Sequence, residues 1–540
     1  MKTLTIAEKK KKQWQAISID DIYNNHGPFE YQEYPPIVQS DSHVVLFKLP
    51  INSQMEIESY YPLHSPNNWH VDWVKMPHSP WSMYPFEEKV SEKMENGYRP
   101  RWEVIIEALQ KKITSSAQLE AAIFSYNSKF SHQWNFRALH FFFFKTMKEK
   151  ETEIFFENLL PKMIQLALQL PTLVTGSIPV LKKHKNTTLS MSQLQIASLL
   201  ANAFLCTFPN YEIYPNVNFY RLFGAYKDDK FQRSLAVSEK LRCLIHYFRR
   251  VTSVAPQGTV TFQRRYIPLD DCPEWGKMTH QLPPLHITSV GTIESNAVGL
   301  LQVDFANKEV GGGVLDWGCV QEEIRFVICP ELIVSRLFTD VLENTEALVI
   351  TGIEQYSNYK GYGDYLKWNG DFIDETPRDS SGRRKTSVVA MDAYRFTNRN
   401  DQYTEQKIKR ELNKAYVGFS SIESNQDNLP AIATGNWGCG AFCGDTKLKV
   451  FIQLMAATIN KRSVIYFTFG DDELRDSIAE MYSHLIQLEI PIGELFILLC
   501  QYQSESANNR LSLYNFLIRK TLKKKSSGIG CTLREKVAKI

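Results

Sequence analysis

Residues 311–326 read Gly311-Gly312-Gly313-Val314-Leu315-Asp316-Trp317-Gly318-Cys319-Val320-Gln321-Glu322-Glu323-Ile324-Arg325-Phe326. The segment before them, 300–305, is apolar and β-branched like a buried strand, and residues 321–332 after them have apolar residues at helical spacing. Consecutive glycines lose much backbone entropy on folding, so they favour a close backbone approach or left-handed turns. The predicted order is strand, glycine turn and helix.

This turn has the features of an anion site. Glycine N–H groups and a helix N-terminus both offer free donors, so we expect the turn to bind a phosphate or pyrophosphate. Glu322 and Glu323 begin the helix. Neighbouring helical residues point about 100° apart, so we expect the two side chains to face different points, one acting on a substrate and one orienting it. Alternatively, the pair only complements the helix dipole, and the turn taken alone favours this second interpretation.

Composition and charge exclude several classes of protein. The chain has 540 residues, of which 43% are hydrophobic and 22% charged, and this balance excludes wholesale disorder. Its length corresponds to two to four domains at roughly 100–200 residues each. The net charge of +3 provides no overall basic field for nucleic acid. A polyanionic substrate would therefore need a local site.

The cysteines and apolar segments point to a soluble intracellular protein. Nine cysteines are scattered without the spacing of a disulfide framework or zinc site, which favours a reducing compartment. Cys439 and Cys443 form the only close pair, and no second pair accompanies them, so we expect no metal and no cofactor. The first residues lack the apolar core of a secretory signal. The longest apolar runs are too short to span a membrane.

The composition and the predicted secondary structure change along the chain. We predict a basic N-terminal flank over residues 1–40, a mainly helical accessory domain over 41–255, an α/β domain over 256–505 and a basic, mobile tail over 506–540. The clearest accessory helix begins at a capping-box pattern, Ser192 to Gln195, and another covers residues 234–249. Residues 369–385 are charged, and we expect a surface excursion there.

The second half alternates short strands with helices. Such alternation predicts a largely parallel or mixed sheet covered by helices on both faces, with ligands beyond the carboxyl ends of the strands. The predicted strands are 259–262, 285–290, 300–305, 347–353, 387–393, 431–435 and 463–469. The predicted helices are 321–329, 330–342, 404–416, 447–459, 471–487 and 492–501.

Two further segments fit a nucleotide-like ligand. Residues 433–445 form a second glycine-rich loop between a strand and a helix, and two such loops on one sheet suggest a diphosphate held from two sides, although paired tight turns are an equal alternative. Residues 355–365 place four tyrosines in a polar segment, enough to stack on adenine or shape a ribose pocket. Clustered tyrosines also occur at ordinary core edges.

Taken together, these segments closely resemble the poly(ADP-ribose) glycohydrolase family. The shared pattern is Val303-Asp304-Phe305-Ala306-Asn307, the three glycines, seven intervening residues and Gln321-Glu322-Glu323. It continues through residues 292–294, 350–356, 410–416, 435–442 and 466–471, and reaches back to 195–204, so it covers about 65–505. The resemblance implies a macrodomain-like mixed sheet sandwiched by helices, preceded by an all-helical accessory domain.

The resemblance also implies roles for individual residues. Glu323 would be the catalytic acid and base, Glu322 would orient the ribose at the scissile bond together with Asn307, and Asp304 would support the signature turn. The other implied substrate-binding residues are Gly311, Gly312 and Gly313 in the turn; Ile293, Glu294 and Gln321 on the adenine side; Tyr362 and Phe469 around the terminal adenosine; Asn436, Gly440, Ala441 and Phe442 around the diphosphate and distal ribose; and Tyr359. We assign no catalytic role to Asp316, although it lies beside the site.

The implied activity is hydrolysis of ribose–ribose O-glycosidic bonds in poly(ADP-ribose), mainly from the chain end, without a metal. The expected partners are poly(ADP-ribose) on modified proteins and the product ADP-ribose, with no membrane and no sequence-specific nucleic acid. The family resemblance also implies a place in the DNA damage response, in nucleus and cytoplasm. A non-catalytic reader of ADP-ribose is the alternative, and a hydrolase of mono-ADP-ribose or another nucleotide sugar is a weaker one. The acids at the family spacing favour the enzyme, since a reader needs no acid beside the anomeric carbon.

Overall fold

The computed structural model describes residues 17–23, 27–29, 34–49, 69–90, 93–209, 217–421, 429–506 and 511–522. Its strands are β1 (His43–Val45), β2 (Met83–Val90), β3 (Lys93–Pro100), β4 (Thr187–Ser192), β5 (Thr259–Tyr266), β6 (Leu285–Thr288), β7 (Leu301–Ala306), β8 (Glu346–Gly352), β9 (Ser357–Lys360), β10 (Lys367–Asp371), β11 (Arg384–Asp392), β12 (Ile432–Gly435) and β13 (Val464–Phe467).

The helices occupy both halves of the chain. They are α1 (Ile19–Ile22), α2 (Arg101–Leu109), α3 (Ser116–Ser125), α4 (Arg137–Phe141), α5 (Glu149–Ile154), α6 (Leu160–Leu168), α7 (Leu170–Leu173), α8 (Gln193–Phe204), α9 (Tyr220–Gly224), α10 (Phe231–Ser253), α11 (Ile293–Asn296), α12 (Gln321–Ile328), α13 (Glu405–Phe419), α14 (Thr446–Ile459), α15 (Asp472–Gln487) and α16 (Ile492–Ser506). A last helix covers residues 513–522.

One nine-stranded sheet organises the molecule, in the order β1-β4-β5-β8-β11-β7-β12-β13-β6. The five strands β11, β7, β12, β13 and β6 are mutually parallel, whereas β4, β5, β8 and β11 pair antiparallel. The parallel strands are short and almost entirely buried, as expected when helices cover both faces. Their carboxyl ends share one edge of the sheet.

A helical layer packs on each face of this sheet. On one face, α8, α10 and α12 share a hydrophobic core with accessory helices such as α6. On the other face, α13 to α16 form a second core. Helix α8 is buried at every position, and its capping box joins Ser192 and Gln195 as its sequence predicts. The macrodomain-like sheet between helical layers and the preceding helical region agree with the predicted fold class.

The accessory region is helical in the main but not throughout. Strands β1 and β4 from this region extend the large sheet, and β2 and β3 form a separate hairpin. On its other side from β1, β4 pairs with β5, more than seventy positions later in the chain (Thr187 faces Arg264). Residues 187–192 are short and rich in Thr and Ser, so their periodicity does not distinguish a strand from a loop.

The structure corrects three local predictions. Residues 369–385 are not only a surface excursion: β10 pairs with β9, and Asp379 and Arg383 form a buried ion pair. Residues 330–342 do not form a regular α-helix, since a 3-10 helix covers Pro330–Leu337. The tail is not mobile throughout, because helix 513–522 buries Leu513 and Phe516 in the second core. The N-terminal lysine run lies outside the described residues.

Candidate active site at the carboxyl edge of the sheet

A cavity of about 1040 Å³ opens beyond the carboxyl ends of the parallel strands. Each of those strands contributes to its wall through the residues at or after its end: Ser289 and Gly291 to Ser295 after β6, Ala306 of β7, Ala393 after β11, Asn436 to Phe442 after β12, and Phe469 and Gly470 after β13. The start of α12 and the β9–β10 hairpin close the remaining sides. This is the position where α/β sheets bind their ligands, and the volume suits a nucleotide-sized molecule.

The signature turn wraps two carboxylates. Gly311 and Gly312 have φ of +89° and +44°, values that favour glycine. The N–H of Gly311 donates to Glu322 Oε1 at 2.6 Å, and the N–H of Gly313 donates to Glu323 Oε1 at 2.8 Å. The expectation that these glycines bind a phosphate is therefore wrong for Gly311 and Gly313, since their donors are occupied by protein carboxylates. Gly311, Gly312 and Gly313 also lie outside the cavity wall.

Each of the four oxygens of the two carboxylates accepts a backbone N–H. Glu322 Oε2 accepts the N–H of Asn307 at 2.9 Å, and Glu323 Oε2 accepts the N–H of Val320 at 2.9 Å. A Cβ on Gly312 would lie 2.5 Å from Glu322 Oε2 and 2.7 Å from Glu323 Oε1. The prediction that the side chains face different points is therefore wrong. Adjacent Cβ atoms do diverge on a helix, but glutamate is long enough for both carboxylates to reach one turn.

The acids lie behind the cavity wall. Glu322 is 3% and Glu323 is 6% exposed, and the wall beside them is formed by Ala306, Val320 and Gln321. Burial raises the pKa of Glu322 well above its ordinary value, and the neighbouring Asp304 and Glu323 act in the same direction. Burial therefore favours the protonated form of Glu322 next to the cavity.

Asp304 does not support the turn through a hydrogen bond. Within the described residues, neither of its carboxyl oxygens has a hydrogen-bond partner, and the side chain is 1% exposed. Burial, and secondarily the nearby Glu323, raises the pKa of Asp304 well above its ordinary value, while Arg325 opposes the shift. An unpartnered buried carboxyl is most stable in its neutral form. Asp304 can therefore hold a proton beside the paired glutamates.

Gln321 and Asn307 are positioned by the backbone around them. The side chain of Gln321 accepts from Phe305 N at 2.8 Å and donates to Val303 O at 3.2 Å, which fastens the start of α12 to β7. Gln321 also lines the cavity. Asn307 lies outside the cavity wall, and its Oδ1 accepts the N–H of Glu309 at 3.0 Å.

The side of the cavity where adenine binding is expected combines one acid with aromatic rings. Tyr359 donates its hydroxyl to Glu294 Oε1 at 2.6 Å, and both residues line the cavity together with Ile293. Tyr362 and Phe469, also in the wall, are 57% and 42% exposed. Tyr356 and Tyr365 behave differently from the other two tyrosines, because Tyr356 is buried in the core and Tyr365 is 70% exposed outside the cavity wall.

The second glycine loop presents free donors to the cavity. Asn436, Gly440, Ala441 and Phe442 all line it. Within the loop, the N–H groups of Trp437, Cys439, Cys443 and Gly444 donate to backbone carbonyls of the loop itself. The N–H groups of Gly440, Ala441 and Phe442 have no acceptor in the described part of the chain. A Cβ on Gly440 would meet nothing within 4 Å. This loop, rather than the signature turn, is suited to an anionic diphosphate.

Sequence reasoning missed three cationic residues of the site, Arg325, Lys240 and Arg336, and Arg336 donates to Gly312 O at 2.9 Å. Arg325 lines the cavity and donates to Gln302 Oε1 at 2.6 Å, while its Nε has no partner within the described chain. Arg325 follows Glu323 by two residues on α12, and the helical period places such a position on a different face of the helix from Glu323. Lys240 reaches the signature turn from α10, across 73 positions of sequence, and no local signal predicts that contact.

The described residues contain no cluster of three or more His, Cys, Asp or Glu side chains able to hold a metal ion. None of their helices combines the length and apolar character needed to cross a membrane.

The fold and the site together define a macrodomain-type protein with a helical domain and a paired-carboxylate site beside a nucleotide-sized cavity. Comparison with known families agrees. A family model described as poly(ADP-ribose) glycohydrolase, macro domain fold, matches residues 272–476, and the model of the helical domain of the same family matches 147–264.

Relatives extend this match over most of the chain. The chain is 31% identical over 457 residues to poly(ADP-ribose) glycohydrolase 1 of Arabidopsis thaliana, which covers 69% of this chain and 82% of the relative. It is 30% identical to a probable poly(ADP-ribose) glycohydrolase 2 of the same plant over 70% of this chain and 84% of the relative. It is 38% identical to poly(ADP-ribose) glycohydrolase 2 of Caenorhabditis elegans over 48% of this chain and 56% of that relative. The chain belongs to the poly(ADP-ribose) glycohydrolase family of hydrolases.

Proposed function

We propose that this chain hydrolyses the ribose–ribose O-glycosidic bonds of poly(ADP-ribose), mainly from the chain end, and releases ADP-ribose. The single observation that carries the proposal is the pair Glu322 and Glu323, held by four backbone N–H groups directly behind the wall of the cavity. A protein that only binds ADP-ribose has no need of buried acids at this position.

Positioning is the first part of the proposed mechanism. The terminal adenine stacks between Tyr362 and Phe469, and the diphosphate accepts hydrogen bonds from the N–H groups of Gly440 to Phe442. These remote contacts place the anomeric carbon near Val320 and Gln321, in front of the acids. Binding energy from the nucleotide is thereby used to orient the reacting bond.

Proton transfer is the second part. Glu323, in its acid form, gives its proton to the oxygen of the leaving ribose as the glycosidic bond breaks, and positive charge develops on the anomeric carbon and ring oxygen. The resulting Glu323 carboxylate then takes a proton from the attacking water, which restores the acid and completes the hydrolysis. Glu322 holds the ribose in place. Asp304, whose pKa burial raises, keeps a neutral carboxyl beside the pair and so limits the repulsion between charges.

Time-resolved sizing of the products from poly(ADP-ribose) of defined length tests the proposal. Hydrolysis from the chain end releases ADP-ribose from the first time points, while the polymer shortens gradually. Early oligomers without ADP-ribose would contradict the preference for the chain end. Binding of the polymer without release of any product would favour the reader, and equal turnover of mono-ADP-ribosylated protein would favour the mono-ADP-ribose hydrolase.

We also propose that the protein works in the nucleus and cytoplasm. The eight cysteines among the described residues are unpaired, which is consistent with a reducing compartment. Imaging of the full chain tests this proposal, and accumulation in a secretory compartment would contradict it.

A further inference from the structure

Lys240 is a buried cation of the accessory helix α10 that contacts the signature turn. Its side chain is 0% exposed. The ammonium donates to three backbone carbonyls, Gly313 O at 3.1 Å, Asp316 O at 2.8 Å and Gly318 O at 2.6 Å. An ammonium has three N–H bonds, so these acceptors satisfy it completely.

The three carbonyls belong to the turn that encloses Glu323. Gly313 donates its N–H to Glu323 Oε1, and the N–H groups of Asp316 and Gly318 both donate to Gly313 O. A Cβ on Gly318 would lie 2.5 Å from Cδ of Glu323. Lys240 therefore fixes the peptide planes on one side of the turn, and the turn fixes the Glu323 carboxylate on the other.

Packing alone does not explain a lysine at this place. A buried ammonium is costly, and an apolar side chain of similar volume usually gives an equally stable core. Arg233 of α10 also contacts the turn, since it donates to Trp317 O at 3.3 Å, whereas Glu239 accepts the N–H of Trp368 at 2.9 Å. Within the described residues, no carboxylate forms an ion pair with Lys240, and carbonyls of the signature turn are its hydrogen-bond partners.

We propose that Lys240 is a positioning residue of the hydrolase site, which holds the turn from Gly313 to Gly318 so that Glu323 is aligned with the scissile bond. The inference rests on the proposed role of Glu323 as acid and base. It gives the accessory domain a part in positioning the acid, because α10 supplies a cation to the Gly313–Gly318 side of the turn, while Arg336 of the macrodomain donates to Gly312 O at 2.9 Å on the other side. Misplacement of a catalytic group by about 1 Å can reduce the rate roughly a hundredfold.

The test compares Lys240→Met with the wild-type full chain on poly(ADP-ribose). We expect kcat to fall roughly a hundredfold, with KM and the Kd for ADP-ribose nearly unchanged, because the nucleotide contacts lie elsewhere in the cavity. Lys240→Arg keeps a cationic donor and is expected to recover part of kcat. Titration calorimetry with ADP-ribose gives the concentration of binding-competent sites in each preparation. The maximal rate is divided by that concentration, so unfolded protein does not lower the apparent kcat. If Lys240→Met does not fold, Lys240→Gln takes its place with the same readouts.

Arg264→Met is the matched control. Arg264 is also 0% exposed and donates to three carbonyls, Leu181 O, Asp340 O and Val341 O, at 3.0, 2.7 and 2.9 Å, in addition to its ion pair with Glu346. Its replacement is expected to lower the melting temperature while kcat per competent site stays at the wild-type level. An unchanged kcat in Lys240→Met, or an equal loss of kcat in both variants, would overturn the inference. If wild type itself releases no ADP-ribose, the proposed function fails, which is a different result.

Discussion

At Gly312 the backbone passes between two carboxylates with no room for a side chain. A Cβ there would lie within 2.7 Å of oxygens from both Glu322 and Glu323, and the φ of +44° disfavours other residues. The run of glycines predicts a close approach of the backbone to some group, and that prediction is confirmed. The identity of the group was not predictable, because the direction of a glutamate side chain depends on donors that only the folded turn brings together.

Gly312→Ala tests this arrangement. We expect at least a hundredfold loss of kcat, because a methyl group must displace one of the carboxylates and misplacement on that scale costs about two orders of magnitude. The measurement is steady-state release of ADP-ribose. The control is Gly382→Ala, since Gly382 has a φ of +83° and its Cβ would have only ordinary contacts at 3.8 Å with Thr259. That variant should lose about 1–2 kcal/mol of stability and keep its activity; equal activity losses in the two variants would contradict the account.

The β9–β10 hairpin is the element that carries the aromatic side of the cavity. Tyr359 and Tyr362 of the hairpin line the cavity, whereas Tyr356, just before the hairpin, is buried in the core. The cluster was visible in the sequence, whereas this division was not, because it depends on the register of β9 against β10 and on the contact with α10.

The second glycine loop shows the converse case. The anion site there stays a prediction, and within the described residues the N–H groups of Gly440, Ala441 and Phe442 are free to serve it.

Replacement of Tyr362 tests the stacking platform. In Tyr362→Ala we expect the Kd for ADP-ribose to rise roughly tenfold, since stacking of a base on an aromatic ring contributes about 1–3 kcal/mol. Isothermal titration calorimetry gives the measurement. Tyr362→Phe retains the ring and removes the hydroxyl that accepts Gln321 N at 3.2 Å, so it should bind nearly as wild type does. Tyr365→Ala, from the exposed tyrosine nearby, should not change the Kd; equal weakening by Tyr365→Ala and Tyr362→Ala would argue against stacking.

Across the whole molecule, the two halves share one sheet and one buried polar junction. Strand β4 belongs to the accessory part of the sequence but pairs with β5, and Gln193 at the start of α8 donates to Glu331 Oε1 at 2.7 Å. Glu331 also accepts from Tyr356 OH and Glu354 N, both at 2.9 Å. The change from a helical sequence pattern to alternating strands and helices predicts a helical region followed by an α/β region. That pattern does not predict that strands of the two regions pair with each other, because long-range pairing leaves no local periodicity.

This junction makes the stability of the protein depend on pH. Burial, assisted by the nearby Glu354, raises the pKa of Glu331 to about 8 from 4.5. The folded state therefore binds more protons than the unfolded state between these values, and the contribution of Glu331 to stability is full below about pH 4.5 and is lost as the pH rises through 8.

Glu331→Gln should flatten this dependence, because the amide does not ionise. Between pH 6 and pH 7 the change in unfolding free energy should be smaller than in wild type by up to about 1.4 kcal/mol. Urea unfolding at a series of pH values provides the measurement. Glu157→Gln, at an exposed glutamate, serves as control and should follow the wild-type curve. A Glu331→Gln curve parallel to wild type would show that Glu331 is already ionised in the folded protein at neutral pH.

The most direct test of the central claim is the activity of Glu323→Gln, measured as release of ADP-ribose from labelled poly(ADP-ribose) together with its affinity for ADP-ribose. The amide can neither give a proton to the leaving oxygen nor take one from water, so we expect a loss of kcat of at least about a hundredfold with binding retained. Glu309→Gln, at an exposed acid of the same turn region, should remain active. Release of ADP-ribose by Glu323→Gln at the wild-type rate would contradict the assignment of Glu323 as the acid and base.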